Sequence, residues 1–183
     1  MSDFLTPDEE RDLLDLARRA LKYYFETGGH LPAAVENPKL KEKRGAFVTL
    51  KVGGELRGCV GYPLPYKALA ETVVEMAVAA ASQDFRFDSL TPKELDRTRI
   101  EISVLSLPQP VADPKEVEVG RHGIVVAKGP RRGLLLPQVP LEHHWDRETF
   151  LRHGCLKAGL GPDEWKKGAE IEVFTAQVFS EPE

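Results

Sequence analysis

Cysteine is scarce in this chain: two in 183 residues, Cys59 and Cys155. Two distant thiols make no disulfide framework, and they are too few and too far apart for a zinc ribbon or finger, so two free thiols are expected. Long apolar runs are missing as well. The longest, residues 76–81, has six residues, against the roughly 20 that a membrane-spanning helix needs. No apolar core follows Met1-Ser2-Asp3, which predicts a cytoplasmic protein. Nor does one sign of charge dominate. The 25 basic and 29 acidic residues are well mixed and leave a net charge of −4, which argues against bulk nucleic-acid binding but not against a local basic patch. A P-loop, a dinucleotide-binding glycine fingerprint and a serine elbow are all lacking. His143, His144, His153 and Cys155 are the clustered metal-type side chains, and their spacing matches no helical metal motif.

What is present reads as a folded domain. Hydrophobic residues make up 42% and charged residues 30%, which excludes a disordered tail or a fibre. The length suits one domain with room for a subdomain. Thr6-Pro7-Asp8-Glu9 is a capping box with proline at the first helical position, and Leu13, Ala17, Leu21, Tyr24 and Phe25 follow at helical spacing until Gly28-Gly29. Residues 30–44 read as a loop ending in a solvated charge run. Residues 46–52 and 55–60 read as two strands of a hairpin around Gly53-Gly54, a turn whose positions tolerate positive φ. A helix is expected over residues 66–82, with an alanine-rich run at 77–81 suited to close packing on a sheet. A second capping box, Thr91-Pro92-Lys93-Glu94, opens a short helix. Ile100, Ile102 and Val104 alternate with Glu101 and Ser103, the pattern of a half-buried strand.

Pro108-Gln109-Pro110 and Asp113-Pro114 mark the nearest thing to an internal boundary. Beyond them, residues 124–127 and 134–136 form a second expected hairpin, residues 146–158 a helix stopped by Gly159, and residues 171–179 a final strand. Strand pairs joined by short turns, with helices interspersed, favour an α+β fold with a mainly antiparallel sheet.

The segment with the clearest chemical content is Leu56-Arg57-Gly58-Cys59-Val60-Gly61. Glycine inside a strand points to a bulge, a bend, or the close approach of a backbone or ligand. Strict alternation puts Arg57 and Cys59 on one face, where a guanidinium favours a thiolate. Cys59 then reads either as a nucleophile or ligand anchor, or as a small buried cysteine with Arg57 paired to a carboxylate. If the Glu101 strand pairs beside the Cys59 strand, that carboxylate is Glu101, forming an Arg57–Glu101 ion pair next to the thiol. Asp84 and Arg86 form a local pair or an anion site, unless this is a helix-ending turn whose aromatics plug the core. Gln138, after a strand broken by Pro137, orients a substrate or satisfies backbone groups. Cys155, on a helix with Phe150 and Leu151, reads as core.

Taken together these segments resemble the AMMECR family over nearly the whole chain. The hallmark is Leu56-Arg57-Gly58-Cys59-Val60-Gly61. Asp84 with Arg86-Phe87, Glu101-Ile102-Ser103-Val104-Leu105, the run from Gly133 to Val139, Trp145-Asp146, and Cys155-Leu156-Lys157-Ala158-Gly159-Leu160 follow in order. Val60 and Tyr62 stand where isoleucine and threonine are usual. The resemblance implies one AMMECR-type domain over residues 1–183. It has two subdomains, each a mainly antiparallel sheet with packed helices, the larger containing both termini and the smaller drawn from the middle of the chain. It brings no defined reaction and no cofactor. It implies association with Memo-family and radical S-adenosylmethionine proteins, hence a biomolecule-modification pathway with a cleft centred on Arg57-Gly58-Cys59. There Cys59, Arg57 and Glu101 are the candidate catalytic residues, and Gly58, Gly61, Asp84, Arg86, Ser103, Gln138 and Lys157 are candidate ligand contacts. The alternative is a non-catalytic module for a small anionic ligand, a peptide or nucleic acid, with a basic role in transcription, replication, repair or translation.

Overall fold

A computed structural model describes residues 4–183 of the chain. The fold is α+β, with two four-stranded antiparallel sheets in two subdomains. The first unit comprises residues 1–105 and 177–183, and the second residues 106–176.

In the first unit, helix α1 (Pro7–Thr27) starts on the capping box read from the sequence. Glu9 N–H donates to Thr6 Oγ1 and Thr6 N–H to Glu9, and Gly28 closes the helix at φ 75°. Strands β1 (Ala46–Val52) and β2 (Glu55–Tyr62) form the hairpin, with Gly53 and Gly54 both at positive φ. Helix α2 (Leu69–Ser82) begins three residues later than its apolar pattern suggests, at an Ala68 cap with no side-chain hydrogen bond. After a 3-10 turn (Pro92–Arg97), β3 (Thr98–Leu105) pairs antiparallel to β1. The sheet order is β2-β1-β3-β8, where β8 is Ala176–Ser180, so β2 is an edge strand. The inner sheet face, Ala46, Val48, Leu50, Ile100, Ile102 and Val104, is buried in one core with α1 and α2. The outer face carries Phe47, Thr49, Cys59, Glu101 and Ser103, all half-buried.

The second unit holds β4 (Gln109–Pro110), β5 (Gly123–Lys128), β6 (Arg131–Leu135) and β7 (Glu170–Phe174), in the order β4-β7-β5-β6. The short helix α3 (Val139–Glu142) and helix α4 (Arg147–Lys157) complete it. Cys155 is buried with Phe150, Leu151, Ile124, Val126 and Ile171. The alternation over residues 171–179 belongs to two strands of different sheets, β7 and β8, rather than one. The break falls at Thr175, whose N–H donates to Ser106 Oγ and whose carbonyl accepts from Ser106 N–H. The second strand of the β5–β6 hairpin, expected over residues 134–136, ends at Leu135, and beyond Pro137 the chain turns helical, with Gln138 at φ −76°, ψ −21° and Val139 opening α3.

Candidate functional site

The hairpin turn alone would place Thr49 opposite Gly58. Instead Val52 pairs with Glu55 and Lys51 with Leu56, the register slips, and Leu50 pairs with Gly58 and Thr49 with Cys59. Arg57 is therefore the extra residue of a β-bulge. The bulge overturns the simple alternation: Arg57 does not share the face of Cys59. Its guanidinium donates to both carboxylate oxygens of Glu94 (3.0 and 3.2 Å) and to the carbonyls of Asp88 and Ser89 (2.5 and 3.3 Å). Thr91 N–H, then Arg57, hold the Glu94 carboxyl down to about 2.

The two glycines are explained by close approach. A Cβ on Gly58 would lie 2.9 Å from the carbonyl carbon of Ala80, and closer still to its oxygen, so α2 rests directly on β2. A Cβ on Gly61 would collide with the Phe47 ring.

Cys59 itself is half-buried on the outer face. The Thr49 hydroxyl lies 3.1 Å from Sγ and donates to it. The Cys59 main chain faces away from β1. Its N–H donates to Asp84 Oδ2 (2.9 Å), and its carbonyl accepts from Arg86 Nη2 (3.4 Å). Arg86 in turn donates to both Asp84 oxygens (2.9 and 2.7 Å). The carboxylate–guanidinium pair thus stands where a neighbouring strand would put its carbonyl and N–H, and closes the sheet edge at this residue. Arg86, against the cost of burial and with help from the Cys59 and Arg86 N–H groups, holds Asp84 well below the usual carboxylate range. The side chain of Asp84 is 4% exposed and that of Arg86 48%. The neighbouring aromatics do not plug the core: Phe85 is 96% exposed.

Glu101 is not beside the thiol, because β1 lies between β2 and β3. The row across the outer face runs Cys59–Thr49–Glu101. Glu101 pairs with Lys51 at 2.9 Å and accepts from Ser180 Oγ at 3.2 Å. The expected Arg57–Glu101 pair is therefore replaced by Arg57–Glu94 and Lys51–Glu101. Ser103 shares the adjoining row with Phe47 and Gly61.

Beyond Cys59, a groove of about 570 Å³ runs between the C-terminal half of β2, one face of α2 and the loop at His30–Ala33. The Tyr62 hydroxyl donates to Glu75 Oε1 (2.6 Å) and Lys67 Nζ to Glu75 Oε2 (2.5 Å). Lys67 and then Tyr62 push the Glu75 carboxyl down, and Glu75 raises the Tyr62 phenol. Thr49 and Glu75 escape notice in the sequence, and Glu94 stands out there only as a capping residue, because their roles depend on the bulge and on contacts distant along the chain.

The remaining candidates lie in the second unit. Gln138 is exposed ahead of α3, with no capping hydrogen bond from its side chain, and Lys157 is exposed in the last turn of α4. Trp145 is stacked between His143 (4.6 Å) and His153 (3.8 Å). Among the described residues, no group of three or more His, Cys, Asp or Glu side chains is arranged to hold a metal, and no helix is long and apolar enough to cross a membrane.

The AMMECR1 family model matches residues 14–179, which takes in the bulged strand, the Asp84–Arg86 clamp and the groove. The chain belongs to the AMMECR1 family. It is 49% identical to Protein MK0488 of Methanopyrus kandleri, with 100% of this chain and 93% of that protein covered. It is 43% identical to a protein of Methanosarcina mazei, covering 98% and 94%. Among solved structures, the crystal structure of uncharacterized protein PH0010 from Pyrococcus horikoshii matches this AMMECR1 chain with a TM-score of 0.74. That protein is 41% identical, over 93% of this chain and 90% of that one.

Proposed function

We propose that this AMMECR1-family chain is a component of a biomolecule-modification pathway. Its working surface is the outer face of the first sheet around the Arg57-Gly58-Cys59 segment, with Cys59 as nucleophile or redox thiol. One observation carries this: a half-buried Cys59 whose Sγ is met by the Thr49 hydroxyl and whose main chain is clamped on both sides by Asp84 and Arg86. A reactive group held in one geometry by its neighbours is what a nucleophilic site requires. In a transfer step Sγ would bond the incoming carbon, the leaving group would depart with its electron pair, and the thiol proton would pass to water. Arg57 acts as a positioning residue, since its bulge turns Cys59 onto the outer face. Glu101 closes the polar row behind Thr49. Gly58, Gly61 and Ser103 shape the surface, and Asp84 and Arg86 form its rim. Gln138 and Lys157 are the polar contacts proposed on the second unit by itself. Memo-family and radical S-adenosylmethionine proteins are the proposed partners, and the cytoplasm is the proposed compartment.

The test is the alkylation rate of native protein by iodoacetamide at pH 7, read at the Cys59 peptide by mass spectrometry, beside glutathione under the same conditions. A Cys59 rate above that of glutathione, lowered by Thr49→Val, is expected. A rate below glutathione would refute an activated nucleophile.

A second reading, a non-catalytic module for a small anionic ligand, a peptide or nucleic acid, is favoured by one specific finding. Gly58 and Gly61 are accounted for by packing without any chemistry. If Cys59→Ser loses pathway function while ligand binding survives, the module reading fails.

A further inference from the structure

The groove beside β2 has the two walls that a strand-adding peptide site uses, an unpaired sheet edge and a facing helix. In an antiparallel pair, main-chain groups turn toward and away from the partner at alternate residues. The Cys59 N–H points away from β1 to Asp84, and the β1–β2 register is unbroken from Cys59 to Tyr62. The N–H and C=O of Gly61 therefore also point away from β1, toward the groove that Gly61 lines. At Cys59 the edge is closed by Asp84 and Arg86. At Gly61 no side chain among the described residues takes that place.

The opposite wall is one face of α2: Glu71, Val74, Glu75, Ala79 and Gln83. At 1.5 Å per residue this face is about 18 Å long, enough for about five extended residues. Its middle, Val74 and Ala79, is buried and forms only the floor, and its N-terminal end carries Glu71 and Glu75 with the Lys67 ammonium beside them. Both oxygens of Glu75 are engaged by Tyr62 and Lys67. Glu71, one turn earlier, is exposed, and among the described residues it makes no ion pair. Tyr66, 61% exposed, stands edge-on to Tyr62 at the same end. The Glu71 carboxylate is solvent-facing and is met only through space by Lys67, so it is complementary to a further lysine or arginine side chain.

We propose that this groove binds an extended segment of a partner protein. The segment pairs its main chain with β2 at Gly61, lays apolar side chains against the half-buried Leu31, Ala33 and Val60 that line the groove, and directs a basic side chain to Glu71. The site lies apart from the Cys59 chemistry and does not depend on it.

The test starts from the full-length protein and a displayed library of random 12-residue peptides. Selected sequences should share a basic residue next to apolar residues. A synthetic peptide of the consensus should shift the Gly61 amide resonance in a 15N-labelled sample. Its Kd should weaken at least tenfold in Glu71→Lys, and remain unchanged in Glu142→Lys, an exposed acid on the second unit, and in Cys59→Ser. Both glutamates are exposed, so these variants should fold, which circular dichroism checks. The proposal is overturned if no basic consensus emerges. It is equally overturned if the peptide leaves Gly61 unmoved, if Glu71→Lys binds as tightly as wild type, or if the groove resonances respond only to protein concentration, as a second copy would cause.

Discussion

Substituting Gly58 by alanine tests the central packing claim, that α2 rests its backbone on β2. The new Cβ would lie 2.9 Å from the Ala80 carbonyl carbon and nearer to the oxygen, whereas ordinary contact needs about 3.5–4.0 Å. The obstacle is main chain, in the last turn of α2, so no rotamer change relieves it. Either α2 lifts away from β2, loosening the buried Ala77, Ala80 and Ala81 against the sheet, or β2 shifts and strains the bulge. Overpacked cores usually lose about 1–3 kcal/mol, and a backbone obstacle puts this site at the upper end, about 3 kcal/mol. For a chain of this size that corresponds to a drop in Tm of about 6–12 °C. Urea and thermal unfolding followed by circular dichroism measure it. Ala80→Gly provides a second arm. By itself it should cost about 1 kcal/mol through helix propensity, and it should not rescue Gly58→Ala, because the carbonyl remains. A loss below 1 kcal/mol for Gly58→Ala, or rescue by Ala80→Gly, would refute the backbone contact.

Three further outcomes follow from the same geometry. Asp84→Ala strips the acceptor from the part-buried Cys59 N–H and the partner from Arg86, and should cost about 2–3 kcal/mol in urea unfolding, with Asp84→Asn recovering part of it. Glu94, with an ordinary value of 4.5, is held down to about 2 in the folded chain. A depressed carboxyl stabilises the fold above its unfolded pKa and loses that contribution as pH falls through the folded one. Stability should therefore decline between about pH 4.5 and 2, and Glu94→Gln should flatten that part of the curve; an unchanged slope counts against the Thr91 and Arg57 bonds to Glu94. Burial pushes the Cys155 thiol up, so Ellman's reagent should titrate one thiol in the native chain, assigned to Cys59 by peptide mapping, and two in denaturant.

Much of the fold was legible before any coordinates. The Thr6 box, Gly28, the Gly53-Gly54 turn and the 100–104 alternation each act within a few residues, and each element formed where its local chemistry indicated. The 171–179 run reads as one strand because alternation reports a strand but not its sheet, and the partition depends on the Ser106–Thr175 contact. The site was legible as a segment but not as an arrangement. Cys59 stands out from its segment, and its flanking glycines are compatible with a bulge. The shift of one residue at Arg57 then redirected every neighbour: Thr49 rather than Arg57 meets the thiol, and Glu94 rather than Glu101 meets Arg57.

The sequence by itself determined the α+β class, the family and the distinctive thiol, because periodicity, caps and motifs are local properties of the chain; the two subdomains followed from the family resemblance. Only the tertiary structure decided what surrounds that thiol. Cross-strand partners, the strand between β2 and β3, the helix carbonyl over Gly58 and the unpaired edge at Gly61 all join residues far apart in sequence. Their pairing is set by register and packing rather than by any residue's own preference.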